Sequence, residues 1–313
     1  MVGLMEPRND STRPAIPSGQ QFEIRWEGHL AVITEVGASL RVYTVDGRDV
    51  VVPFKSTEIS PAYHGAVLLP WPNRLGDGKY SFDGVEHQLA LNEPGRRTAI
   101  HGLAAWERWT LRDQSSARVQ LGLALVPTPG YPFALESVIT YELTDAGLGV
   151  SLTTTNVGPV DAPYGVGFHP WLSPGAGSLD DCVLTLPAGT WIPTDERLLP
   201  IGERPVPEAM EFRQPRVLGT TVLDDAFVDV TYVDGRSQLL LKGADGRTAV
   251  AWMDQTLTAW QVCTGDALAA EQRRSGFAAE PMTCVADAFR TGDHLLRLGP
   301  GRQHSVTWGL TLQ

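Results

Sequence analysis

Along most of this chain apolar side chains recur at every second position. Phe22-Glu23-Ile24-Arg25-Trp26 alternates in this way, as a half-buried strand does. Segments rich in Val, Ile, Thr and Tyr at 29–35, 39–45, 79–82, 85–91, 119–126, 135–143 and 149–155 predict further strands. The C-terminal part adds 228–233, 238–242, 249–253, 257–262 and 305–312. Asp-Gly dipeptides at Asp46-Gly47, Asp77-Gly78, Asp83-Gly84, Asp234-Gly235 and Asp245-Gly246 supply the positive φ of tight hairpin turns. The run Tyr80 to His87 around Asp83-Gly84 predicts a hairpin. Helical spacing is scarce, and 266–274 is the one segment expected to form a short helix.

The 32 Gly and 23 Pro punctuate a chain of many short elements. No internal repeat, low-complexity tract or linker divides it. Short strands with frequent turns predict an all-β fold, and the length favours a large antiparallel β-sandwich over a small barrel. Residues 1–20 mix Pro, Ser, Arg and Asp and read as a flexible N-terminal tail, which leaves 21–313 as one domain.

Charge narrows the partners. A net charge of -11 disfavours nucleic acid and anionic membrane surfaces, both of which need clustered Lys and Arg. Residues 1–20 lack the apolar stretch of a signal peptide, and no run of about eighteen apolar residues would span a bilayer. Cys182, Cys263 and Cys284 are odd in number and far apart, which suggests buried free thiols rather than a disulfide framework or zinc knuckle. A cytoplasmic protein is expected.

Six segments carry candidate chemistry. Pro70-Trp71-Pro72-Asn73-Arg74 presents an Asn-Arg pair on a stiff backbone. Ala99-Ile100-His101-Gly102 places a His near Trp106 and Trp109, a combination that suits sugar hydroxyls and C–H faces. Gly167-Phe168-His169-Pro170-Trp171 brackets a second His with aromatics, and imidazole titrates near neutrality. Leu223-Asp224-Asp225-Ala226-Phe227 offers adjacent carboxylates, and Trp260-Gln261-Val262-Cys263-Thr264-Gly265 ends a strand with an amide in position to meet a ligand. In Ala278-Ala279-Glu280-Pro281-Met282, an acid interrupts an apolar run and a proline follows it, against the pattern of a core strand. A carboxyl removed from water there has its pKa raised towards the range of a general base. Each segment also has a plain structural reading: a salt-bridged Arg74, turn or capping histidines, and Glu280 paired with an arginine.

Taken together and in this order, the six segments resemble the aldose 1-epimerase (galactose mutarotase) family, in its bacterial branch with a Pro-Trp-Pro-Asn-Arg motif. The resemblance runs from about Phe22 to Leu312. It implies a large sandwich with the sugar in an open groove on one sheet, and neither metal nor cofactor. It implies His169 as catalytic acid and Glu280 as catalytic base. Asn73, Arg74, His101, Asp224 and Gln261 would bind the sugar, and Trp171 would offer a stacking face. This chain has His169-Pro170-Trp171 where the galactose enzymes have His-Ser-Tyr, Asp225-Ala226 where they have His-Pro, and Cys263 in place of a Tyr. The implied activity is interconversion of the anomers of a free glucose- or galactose-like aldose, by a monomer or homodimer. The alternatives are a hexose-6-phosphate epimerase, for which Arg96-Arg97 is the candidate phosphate site, a non-catalytic sugar-binding protein, and a glycosidase or lyase pairing Glu280 with Asp224 or Asp225.

Overall fold

The computed structural model describes residues 16–313, and nearly all of their regular structure is antiparallel strand. Two large sheets face each other. The nine-stranded sheet runs in the order Thr110–Gln114, Arg118–Leu125, Leu135–Thr144, Gly147–Asn156, Gln303–Leu312, Thr248–Asp254, Arg236–Lys242, Val183–Thr185, Arg216–Val217. The eight-stranded sheet runs Arg204–Pro205, Ala188–Ile192, Asp224–Val230, Ala259–Cys263, Phe277–Met282, Gly167–Phe168, Val67–Leu68. Its remaining strand, Trp171–Leu172, also pairs with Phe277–Met282. A four-stranded sheet from Gln21–Trp26 to Arg48–Asp49 stands beside them.

Successive side chains of a strand point to opposite faces, and this sorts the eight-stranded sheet. Phe168, Leu172, Phe227, Trp260, Val262, Phe277 and Ala279 enter the main core, where Phe168 meets Trp308 of the other sheet at 5.1 Å between rings. The residues between them, His169, Trp171, Asp224, Gln261, Cys263 and Glu280, therefore share the opposite face. There the small apolar cluster of Ala226, Val228, Ala259 and Met282 packs with Ala66 and Leu68. One face builds the protein and the other builds a site.

The predicted strands all appear, with ends shifted by a few residues. In the hairpin of Lys79–Phe82 and Val85–Gln88, Asp83 and Gly84 have φ of 48° and 77°, as a tight two-residue turn requires. The expected helix at 266–274 is instead a series of turns. Arg274 folds its guanidinium back onto Asp266 and Asp180 and onto the carbonyls of Gly219 and Thr221, which ties the segment to its neighbours. Of the expected tail, residues 1–15 lie outside the described residues. Residues 16–20 are tied in, with Ser18 buried and its hydroxyl donating to the Ser56 carbonyl at 2.6 Å. All three cysteines are free. No helix among the described residues is long and apolar enough to cross a membrane.

The strand Phe277–Met282 departs most from expectation, because a proline rarely occupies the middle of a sheet. Ala279 donates its N–H to the Pro170 carbonyl and Thr283 donates to Val166. Pro281 stands where the intervening rung would come from. The neighbouring chain is correspondingly broken between Gly167–Phe168 and Trp171–Leu172, at His169-Pro170.

The contact between sheets gives a test. Trp308 is 1% exposed and its indole N–H has no partner among the described residues. Trp308→Ala should cost about 3–5 kcal/mol in urea unfolding. Trp308→Phe, which keeps an aromatic ring and removes the unpaired donor, should cost less than half of that; equal losses would contradict a packing role for the ring.

Candidate active site

The floor of the site follows from strand register. Pairing of Gly167 with Met282 and of Trp171 with Ala278 puts His169 directly opposite Glu280. On the other side Glu280 pairs with Gln261, and Gln261 with Ala226. A single row across three strands and the interrupted fourth thus delivers an imidazole, a carboxyl and an amide side by side. His169 Nε2 lies 3.4 Å from Glu280 Oε1, with both residues buried. His169 Nδ1 and Glu280 Oε2 have no partner among the described residues. Gln261 Nε2 donates to Asp224 Oδ1 at 3.1 Å.

The wall over this floor comes from one stretch of chain. Asn73 has φ of 56° and exchanges backbone contacts with His101: His101 N–H donates to the Asn73 carbonyl, and Asn73 N–H donates to His101 Nδ1 at 3.2 Å. That bond occupies the Nδ1 lone pair, so neutral His101 carries its hydrogen on Nε2 and offers a donor. Gly102 makes the turn feasible, since a Cβ at its φ of 71° would lie 2.2 Å from the Leu69 carbonyl oxygen. Arg74 forms a forked pair with Glu93 at 2.9 and 3.1 Å, and Glu93 also takes Thr98 Oγ1 at 2.6 Å. Tyr63 packs at a tilt against His101, with centroids 4.5 Å apart and planes at 58°, and lies nearly parallel to His169.

Together these residues line an open groove of ≈ 250 Å³. That is the small end of ligand sites, which run from roughly 300 to 1,000 Å³, and suits a single sugar ring better than a chain of rings. A larger depression of ≈ 470 Å³ beside Pro187, Thr231 and Gln238 assembles no comparable acid–base set.

Burial sets the protonation of the site. Removal from water holds the Glu280 carboxyl well above the usual carboxylate range; the Asp224 charge adds to this and Arg74 opposes it. The same desolvation pushes His169 down, with His64 and Arg74 contributing. His101 is lowered by burial, then by His169 and Arg74. Asp224 is raised by burial, against the pull of Arg74. Burial opposes the charge of Arg74, but Glu93, Asp224 and Glu280 outweigh it and keep the guanidinium protonated. Burial alone would empty the Glu280–His169 pair of charge. The neutral pair and the ion pair hold the same single proton, however, and differ only in where it sits.

The donor atoms of His101, His169 and Glu280 lie within 4.8 Å of one another, a set of types that zinc accepts. The Asn73 bond to His101 Nδ1 puts a hydrogen on Nε2, where a metal would need the lone pair. These residues fit hydrogen-bond and proton chemistry better than metal ligation.

The structure brings Asn73, Arg74, His101, His169, Trp171, Asp224, Gln261 and Glu280 to this one groove. Trp171 is 2% exposed, donates its indole N–H to the Ala62 carbonyl and lies nearly parallel to the His169 ring at 5.8 Å. Little of its ring is open to a sugar. Asp225 turns away and accepts from Trp191 Nε1 at 2.8 Å, which removes it as a partner for Glu280. Of the arginine pair, Arg96 lines the groove while Arg97 is exposed and pairs with Asp77. Sequence reasoning missed Tyr63 and Glu93. Glu93 lies in Asn92-Glu93-Pro94-Gly95, which reads as an ordinary turn, and Tyr63 gives no signal beyond an aromatic after a proline.

The molecule is thus a large antiparallel sandwich with a polar groove on one sheet and a buried His–Glu pair in the floor of that groove. Comparison with known proteins gives the family. The aldose 1-epimerase family model matches residues 20–311, so the chain belongs to that isomerase family. The protein YihR of Escherichia coli K12, itself uncharacterized, is 36% identical over 295 residues, 94% of this chain and 93% of its own length. Human galactose mutarotase is 28% identical over 229 residues, covering 67% of this chain and 66% of the human protein. Among solved structures, a putative aldose 1-epimerase of Escherichia coli K12 superposes with a TM-score of 0.82 at 19% identity, over 94% of this chain and 99% of that one. Galactose 1-epimerase of Lactobacillus acidophilus gives 0.78 at 20% identity over 91% of each chain. The chain shares their fold.

The Arg74–Glu93 fork is a second test of the site. Glu93→Gln keeps the shape and removes the charge that two guanidinium groups share. It should cost about 1–3 kcal/mol in urea unfolding. A variant as stable as the parent would mean that the pair contributes nothing.

Proposed function

We propose that this protein interconverts the α and β anomers of an aldopyranose by opening and reclosing the ring, with His169 and Glu280 as the acid–base pair. The observation that carries this reading is the buried His169–Glu280 pair, two residues that line the same groove with their facing atoms 3.4 Å apart. Ring opening requires a proton to leave the anomeric hydroxyl while another reaches the ring oxygen. Glu280 in its carboxylate form accepts the first and His169 in its imidazolium form supplies the second. Turning about C1–C2 then presents the other face of the aldehyde, and the two groups exchange roles as the ring closes.

Burial disfavours the ion pair in the free protein. A bound sugar changes this, because hydrogen bonds from and to its hydroxyls favour the charged forms of Glu280 and His169. His101 Nε2–H and Asn73 would hold sugar hydroxyls, as would Asp224 and Gln261 from the floor. Arg74, anchored by Glu93, biases the groove towards anionic oxygen and against a second positive charge on His169. Such groups suffice for a reaction that already proceeds slowly in water, since a positioned acid or base contributes about 10²–10⁴-fold. A protein that only bound sugar would gain nothing from burying a carboxyl against an imidazole, which costs stability unless the pair is used.

Glu280→Gln should leave circular dichroism and thermal unfolding intact and lower the rate of anomer exchange by about 10²–10⁴-fold. NMR saturation transfer between the anomeric protons, across a panel of aldoses, reads this directly. Near-normal exchange in a folded variant would remove Glu280 from the chemistry.

The pH profile gives an independent check. Activity needs the one-proton form of the pair. Burial keeps a second proton off His169 until pH falls below its ordinary 6.5, and keeps Glu280 from losing the shared proton until pH rises well above its ordinary 4.5. kcat/KM should therefore be bell-shaped, with an acid limb below 6.5 and an alkaline limb displaced upwards. A profile that followed one group with an ordinary carboxylate pKa would contradict the shared proton.

A further inference from the structure

The two indoles that follow His101 have separate fates. Trp109 is 1% exposed and donates its indole N–H to the Ala104 carbonyl at 3.3 Å. Trp106 is 49% exposed, although the backbone around it is firmly held. Ala104 and Ala105 before it are buried, and the N–H groups of Leu103 and Ala104 both donate to the Leu69 carbonyl. After it, the Glu107 carbonyl accepts from the Gly37 N–H, and the Trp109 N–H donates to the Glu35 carbonyl. A single exposed indole is ordinary on a protein surface. This one stands at the rim of the groove, because its ring lies 5.3 Å from that of Tyr63, which lines the groove. The two planes meet at 64°. An edge-on contact covers at most one face of the indole, whichever ring supplies the edge. Tyr63 is itself placed at some cost, since Ala62 and Tyr63 have φ of 44° and 56°, in the left-handed region.

Resting on the mutarotase reading above, we propose that the substrate is a reducing disaccharide, an aldose with a free anomeric hydroxyl that carries a second sugar ring on another carbon, with that second ring laid against Trp106. The groove suits one ring, so a second must lie outside it. Tyr63 borders both places, and the outer ring has only that side chain to pass before it meets the indole. A sugar ring presents C–H groups that an indole face covers, while its hydroxyls stay in water at an open rim. The second unit stays bonded to the first throughout and takes no part in the proton transfers. Its contact is the same before and during ring opening, so it acts on KM rather than on kcat.

The test measures anomer exchange at equilibrium by NMR for glucose, maltose, cellobiose, nigerose and isomaltose, each corrected for its protein-free rate. All four disaccharides have glucose at the reducing end and differ in how the second ring is attached. At least one should exceed glucose in kcat/KM by about 3- to 10-fold, the range of one aromatic contact. The linkage that gains most shows which edge of the inner ring faces Trp106. Trp106→Ala should bring that ratio close to one through KM, and Trp106→Phe should keep part of it. Thermal unfolding of both variants checks the fold.

The proposal fails if glucose is handled as well as every disaccharide, or if the ratio survives Trp106→Ala. It fails equally if that variant lowers all sugars by one common factor, as loss of support for Tyr63 alone would do. Those outcomes leave the mutarotase reading standing. Acceleration of no sugar at all would overturn that reading, and this proposal with it.

Discussion

The site depends on antiparallel register. His169 and Glu280 are far apart in sequence, and only the pairing of Phe277–Met282 with the broken strand on its flank sets them face to face. Strand spacing then fixes how close two opposed side chains come, at about 4.5–5.5 Å between Cβ atoms. A one-residue slip would turn both side chains into the core and present Phe168 or Ala279 to the sugar. The apolar layer against the nine-stranded sheet forbids that slip, because Phe168, Phe277 and Trp260 have nowhere else to go. Packing on one face thereby holds the chemistry on the other.

Burial is the second constraint, and it acts through charge. A carboxyl and an imidazole placed this deep are both driven neutral, yet they sit close enough to pass a proton. Arg74 tempers the effect on the acid and strengthens it on the base, and Glu93 keeps Arg74 in place. Tyr63 and Trp171 lie nearly parallel to the His169 ring and limit its tilt. The groove thus sets a dry His169–Glu280 pair in its floor beneath a wall that carries Arg74, Glu93 and Arg96.

Much of this was legible in the chain. Strands that are wet on one side show period-two alternation, and those were read with small errors at their ends. Asp-Gly pairs marked turns because few other residues accept the required backbone. The strand bearing Glu280 was not read as one, since it is buried on both faces and contains Pro281, which argues against a central strand. Only the neighbouring break at His169-Pro170 shows how the missing N–H is accommodated. The chemistry of Arg74 was legible and its anchor was not, because Glu93 pairs with it through the hairpin of Arg74–Gly76 and Thr98–Ile100. Trp171 lines the groove as expected of a stacking face, and its buried ring also lies nearly parallel to His169.

The wall and the floor of the groove have different origins in the chain. Tyr63, Asn73, Arg74, Glu93, Arg96 and His101 all fall within a single stretch, whereas the floor is gathered from four separate strands. Evolution can therefore rework what the groove recognises within one contiguous segment, by insertion, deletion or exchange, while His169 and Glu280 stay under the separate guard of the core. Such a molecule acts as an interchangeable cap on a fixed engine, and relatives that share the engine are free to differ in the sugar they accept.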